Sequence, residues 1–168
     1  MSFALDRDLL GSAGEVAGLL RQRGETVAVA ESSAGGLIAA ALLAIPGASA
    51  YFRGGGVVYT GDAKATLLGV PADRLATPRA ATEEHALVLA EGIRVRLSAT
   101  WGIGETGAAG PTGNRYGDPA GHTSIATSGL RGAHRTLTVR TGRDERGENM
   151  RLFAIEALRL LEGALRDP

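Results

Sequence analysis

No cysteine occurs anywhere in the 168 residues, which excludes disulfides, thiol nucleophiles and thiolate metal sites. Neither sign of charge prevails. The 18 Lys and Arg balance the 18 Asp and Glu without forming a basic block, so an electrostatic grip on a nucleic-acid backbone is excluded. No apolar run approaches the ~20 residues that a membrane-spanning helix needs. The opening Met1-Ser2-Phe3-Ala4-Leu5-Asp6-Arg7-Asp8 lacks the charged-then-apolar layout of a signal peptide. The expectation is a cytoplasmic protein with neither nucleic acid nor membrane as partner. The histidines His85, His122 and His134 have no HExxH-type spacing, so no metal and no cofactor are expected.

What is present is the composition of a globular chain, 44% hydrophobic and 21% charged, with a length that suits one domain over residues 1–168. Its 25 glycines gather in loops, where backbone bends or approaches a ligand closely. Leu9, Ala13, Val16 and Leu20 repeat at helical spacing, with Gly24 as a stop. Strands are predicted over 26–30, 56–60, 101–105, 122–128 and 134–140. Further helices are predicted over 36–44, 62–68, Glu83 to about Leu97 behind a Thr82 cap, and about 148–165. Helices alternating with strands, then a hairpin, predict an α/β fold: a three-layer α/β/α sandwich with a mixed sheet.

Four segments carry candidate chemistry. In AESSAGG, residues 30–36, a strand runs into a helix start, where free N–H groups attract anions; Ser32 offers a hydroxyl, and Gly35 and Gly36 permit close approach. The plain alternative is an ordinary helix cap. Residues 47–64 hold Ser49, Tyr59 and Lys64. A serine needs a base, and a lysine kept neutral by burial is one, although surface lysines are the commoner case. In ETGAAGPTGNRYGDPAG, residues 105–121, Thr106 ends a strand, and Gly107 and Gly110 free backbone N–H groups to line a cavity. Finally Arg143, Arg146 and Arg151 offer cations for a phosphate, or compensate Asp144, Glu145 and Glu148. Neither GxxxxGK[ST] nor GxGxxG is present.

AESSAGG, IPGASAYFRGGGVVYTGDAKATLLGV, and GETGAAGPTG followed by DPAGHTSIA together resemble the C-terminal domain of competence/damage-inducible CinA-type proteins. That domain also occurs alone as nicotinamide-nucleotide amidase. The resemblance runs from about residue 10 to 165. It implies hydrolysis of nicotinamide mononucleotide to nicotinate mononucleotide and ammonia in pyridine-nucleotide recycling, by a metal-free Ser/Lys mechanism. A homo-oligomer, a dimer foremost, is expected.

Residue by residue, the resemblance makes Ser49 the nucleophile, Lys64 its base and Tyr59 the residue orienting them. Ser32, Gly35, Gly36, Thr106, Gly107 and Gly110 become substrate-binding, and Arg146 holds the phosphate. Ser32 and Ser49 remain interchangeable as nucleophile, and Arg143 remains an alternative to Arg146. The chain departs from the family at Ser33 and Ala34 (usually Cys and Thr), at Gly61-Asp62, and at Gly121-His122-Thr123-Ser124. These departures motivate two other readings: a nucleotide-binding module without turnover, or an amidase for another small amide.

Overall fold

The computed structural model describes residues 5–167; the start of the N-terminal stretch read for targeting, Met1 to Ala4, lies outside them. Five strands form one sheet: β1 (Val27–Glu31), β2 (Phe52–Val57), β3 (Trp101–Ala108), β4 (His122–Ser128) and β5 (His134–Arg140). Their order across the sheet is β2-β1-β3-β4-β5. The first three run parallel; β4 runs antiparallel to β3, and β5 antiparallel to β4. Six helices cover it: α1 (Arg7–Arg23), α2 (Leu37–Ala44), α3 (Gly61–Leu68), α4 (Ala72–Ala76), α5 (Glu83–Arg96) and α6 (Arg146–Arg166). None of them is long and apolar enough to cross a membrane.

Alternation along the strands sorts the side chains into two layers. Val27, Val29, Trp101, Ile103 and Ile125 pack with Leu20 of α1, Leu42 of α2 and Phe153 and Leu158 of α6. Ala28 and Ala30 turn the other way, onto Leu68 of α3 and Leu89 and Ile93 of α5. Each fully buried side chain of this size stabilises the fold by about 1.5–3 kcal/mol. Helix α5 lies close against β3 because Gly102 and Gly104 have no side chain; a Cβ at either would strike the carbonyls of Ala90 and Ala86. Thr82 caps α5 through the His85 N–H, as predicted.

Two boundaries and one element differ from the sequence reading. The second strand covers 52–57 rather than 56–60, because its partner β1 sets the register from Val27 opposite Phe52 to Glu31 opposite Val57. Strand β3 continues to Ala108, so Thr106 and Gly107 lie within a strand paired to β4 rather than in a loop. Helix α4 was not anticipated.

Candidate functional site

Parallel strands β1 and β3 end side by side, and ligand contacts in α/β sheets gather at such carboxyl ends. Here that end holds an unusual quantity of buried polar groups. Glu31, Ser32, Ser33, Lys64, His85, Glu105, Thr106, His122 and Thr123 are all buried. Buried polar groups persist only where they are hydrogen-bonded, and the pairing is extensive.

Glu105 is the hub. Its carboxylate accepts the backbone N–H groups of Ser32 at 3.0 Å and Ala34 at 2.8 Å. It also accepts the hydroxyls of Ser33 and of Thr123, the latter at 2.6 Å. The turn after β1 is therefore clasped by a strand residue that no motif singled out. Glu31 does the same for α2, accepting the N–H groups of Ile38 and Ala39, each at 3.1 Å. Burial pushes its carboxyl up to about 7, against the pull of those amides and with the charge of Glu105 adding to the rise. The carboxyl group at this helix N-terminus is thus the protein's own Glu31, and no side chain of the turn caps α2. The hydroxyl of Ser32 makes no hydrogen bond among the described residues, and Gly35 and Gly36 both hold positive φ.

Lys64 lies on α3 and is buried. Its Nζ is 3.0 Å from Nε2 of His85. The other imidazole nitrogen, Nδ1, is 2.9 Å from the carbonyl of Pro78. A carbonyl only accepts, so Nδ1 carries the proton and Nε2 accepts from Lys64. Burial holds the Lys64 ammonium below the ordinary lysine value, with Glu105 opposing. Burial likewise lowers His85, against the hydrogen bond to Pro78 and with Lys64 adding to the fall. A lysine with a depressed pKa and one N–H engaged keeps its lone pair for a substrate-side proton.

The 77–82 loop closes the other side. Ala81 N–H donates to Thr106 Oγ1 at 3.2 Å, and Ala81 carbonyl accepts from His122 Nε2 and Ser124 Oγ. The spaces at Gly107 and Gly110 are filled by protein: a Cβ at Gly107 would strike the His122 carbonyl, and one at Gly110 the Asp144 carbonyl, 2.5 Å away. Arg146, exposed at the start of α6, donates to the Gly110 carbonyl at 2.7 Å. Arg143 pairs with Glu148, and Arg151 with Asp6 and Glu148. Among the described residues no carboxylate pairs with Arg146.

Ser32, Thr106 and Lys64 therefore gather at one end, with Arg146 reaching its rim. Ser49 does not. It is exposed on the 3-10 turn Ala48–Ala50, ahead of β2, where Arg21 of α1 bonds the Pro46 carbonyl. Lys64 follows β2, so the six-residue strand, about 20 Å long, separates them. Tyr59 is 61% exposed and makes no hydrogen bond among the described residues. Glu31, Glu105 and His85 were missed as site residues. The legible signal was a glutamate inside a strand otherwise built of Gly, Ala, Ile, Trp and a single Thr.

A family model described as the CinA C-terminal domain matches residues 11–165. A CinA-like protein of Gloeobacter violaceus is 44% identical over 140 residues, covering 83% of this chain and 32% of its own length. One from Anaeromyxobacter sp. (strain Fw109-5) is 46% identical over 147 residues, covering 88% and 35%. The chain thus spans about a third of the length of these curated relatives. A crystal structure of competence/damage inducible protein CihA from Agrobacterium tumefaciens superposes with a TM-score of 0.89 at 35% identity, covering 98% of this chain and 99% of that one. A CinA superfamily protein from Klebsiella pneumoniae superposes with a TM-score of 0.87 at 30% identity, covering 94% and 98%.

Proposed function

The chain belongs to the CinA C-terminal domain family, and from that premise we propose that it is a nicotinamide-nucleotide amidase, hydrolysing nicotinamide mononucleotide to nicotinate mononucleotide and ammonia. The observation that carries the reading is Lys64: buried at the carboxyl end of the sheet, held below its ordinary pKa and fixed by a neutral His85. A surface lysine has no need of such an arrangement. A general base does.

In this reading Lys64 takes the proton of a serine hydroxyl as the oxygen attacks the carboxamide carbon. The tetrahedral intermediate collapses, the carbon–nitrogen bond breaks, and Lys64 returns the proton to the departing nitrogen, which leaves as ammonia. Water, deprotonated by the same lysine, then hydrolyses the acyl-serine to the carboxylate and frees the hydroxyl. Ser49 is the assigned nucleophile. Ser32 lies at the lysine's end of the sheet, and its hydroxyl, unlike that of Ser33, does not donate to Glu105. Arg146, unpaired by any described carboxylate, receives the phosphate of the nucleotide. No step calls for a metal or cofactor; among the described residues no group of three His, Asp or Glu is placed to hold a metal ion.

Ammonia release from nicotinamide mononucleotide, set beside free nicotinamide and a panel of other small amides, tests the reading. Turnover of the nucleotide alone is expected. Binding without ammonia release would make the protein a nucleotide-binding module instead. Within the active protein, Ser49→Ala is expected to abolish turnover without lowering the melting temperature; loss in Ser32→Ala alone would move the attack to Ser32.

A further inference from the structure

The contacts that hold Lys64 and Thr106 end on one short stretch of backbone, residues 78–82. The Pro78 carbonyl accepts from Nδ1 of His85, whose Nε2 in turn accepts from Lys64. The Ala81 N–H donates to Thr106, and the Ala81 carbonyl accepts from His122 and Ser124. We propose that this strap is fixed from outside by Arg79 gripping Asp118, which makes Arg79 and Asp118 positioning residues for Lys64. The role of Lys64 as base rests on the amidase reading above; the grip rests on the contacts themselves.

The strap needs such a hold. From Pro71 to Thr82 Ala81 alone is buried, so apolar packing does little to fix the segment. Ala81 also sits at a φ of 61°, in the left-handed region that a β-carbon makes strained. Residues held there persist only where their surroundings over-determine them. Within the strap, Thr82 donates to the Arg79 carbonyl while capping α5 through the His85 N–H. A shift of the strap therefore moves the imidazole that Lys64 leans on.

Arg79 supplies the outward contact. Its Nη1 and Nη2 meet the two oxygens of Asp118 at 2.8 Å and 3.2 Å, a forked pair. The guanidinium lies over the Tyr116 ring, 5.0 Å from its centroid. Nη1 also donates to the Ala80 carbonyl, which ties the charge to the strap's own backbone. Asp118 is fixed in turn. Asn114 Nδ2 donates to its carboxylate at 2.8 Å, the Asp118 N–H donates to Asn114 Oδ1, and the Asn114 N–H donates to the Asp118 carbonyl. Exposed ion pairs ordinarily contribute little. Here the carboxylate side chain is only 12% exposed, and the bond from Arg79 holds it below the ordinary aspartate value. The turn that carries Asp118 follows Gly110, whose carbonyl accepts from Arg146. One ion pair thus joins the segment that meets Arg146 to the strap that holds Lys64.

Release of the strap takes the Pro78 carbonyl from His85 and leaves Lys64 in a looser, wetter pocket. The titratable groups that bear on Lys64 are His85 of α5 and Glu105 of β3, and both remain in the variants that test the grip. Arg79→Ala is expected to lower kcat for ammonia release from the mononucleotide by about 10–100-fold, with KM changed by less than about twofold. The acid limb of its kcat–pH profile is expected to move up by about half a pH unit or more, because a rehydrated lysine holds its proton to higher pH. A lowered kcat with an unmoved limb overturns the proposal. So does a raised KM with kcat kept, which would make Arg79 a substrate contact. Asp118→Asn is expected to act alike, and the double variant to lose no more than either single one; losses that multiply overturn the grip.

A readout independent of turnover follows His85 itself. In protein carrying isotope-labelled histidine, His85 is expected as the Nδ1–H tautomer with a slowly exchanging proton. Arg79→Ala is expected to lose that signal to rapid exchange with water, and an unchanged signal overturns the proposal. His122, with its proton on Nε2, is distinct, and His134→Gln removes the exposed third histidine from the spectrum. A wild-type protein that releases no ammonia overturns the amidase reading, and the imidazole result stands apart from it.

Discussion

The two ends of the parallel strands handle polarity in opposite ways. At the amino end, Glu25 accepts from Trp101 Nε1 at 2.7 Å and pairs with Arg23 at the surface, and Thr26 and Thr100 exchange bonds, half-exposed. Water supports most of these groups, so each bond contributes little. At the carboxyl end two carboxylates, two serines, two threonines, a lysine and two histidines are withdrawn from water. Such withdrawal costs free energy unless each group is held, and a fold needs none of it. The difference teaches where to look for chemistry. It also makes Ser49 conspicuous: a hydroxyl assigned to catalysis, standing alone at the end that has no machinery.

The largest expected effect is at Lys64. Lys64→Arg and Lys64→Ala should each lower kcat for ammonia release by about 10²–10⁴-fold, the usual contribution of a general base. Arginine stays protonated and cannot accept the serine proton. An arginine variant with most of its turnover would make Lys64 an electrostatic anchor and erase the chemical contrast between the ends.

Next, Glu105→Ala should cost about 3 kcal/mol or more in denaturant unfolding, since it leaves two buried backbone N–H groups and the Ser33 hydroxyl without their acceptor, and the Thr123 hydroxyl with only the Thr106 carbonyl. Glu25→Gln, at the other end, should cost about 1 kcal/mol or less. Equal losses would mean that burial does not distinguish the two ends.

Arg146→Ala should raise KM for the mononucleotide by about 10–100-fold, the loss of one charge-assisted contact. Arg143→Ala, whose guanidinium is already paired with Glu148, should change it little. The reverse result would move the phosphate to Arg143.

The smallest effect is in pH dependence. Glu31 has a folded pKa raised to about 7 from 4.5, so the folded state holds a proton that the unfolded state releases between those values. The stability this contributes is complete below 4.5 and is lost as pH rises through 7, with a slope of at most about 1.4 kcal/mol per pH unit. Unfolding free energies from pH 4 to 8 should show that slope in the wild type, and Glu31→Gln should remove it.

Periodicity made the helices readable, because an amphipathic face is a local property of spacing. Thr82 announced the start of α5 for the same reason. The mixed sheet followed from element order. Strand β2 was misplaced because three glycines carry no strand preference of their own, and its bounds come from pairing with β1. Likewise Thr106 and Gly107 read as loop until β4 was there to pair with them. At the site, hydroxyls and a lysine in glycine-rich turns were visible as candidates. Glu105 and His85 were not, since their significance lies in which donors reach them across 72 and 21 positions of sequence.

By itself the sequence determined the composition of the core, the order of the elements and, through ordered motifs, the family. Only tertiary structure decided that the turn after β1 spends its N–H groups on Glu105, that α2 is capped by Glu31, and that Lys64 is buried against a neutral imidazole. The physical reason is the same in each case. Spacing along the chain governs local conformation, whereas burial, and the pKa shifts and hydrogen-bond partners that follow from it, depend on which distant segments exclude water together. The separation of Ser49 from Lys64 belongs to that second class, for it is the direction and position of β2 in the sheet that carries them apart.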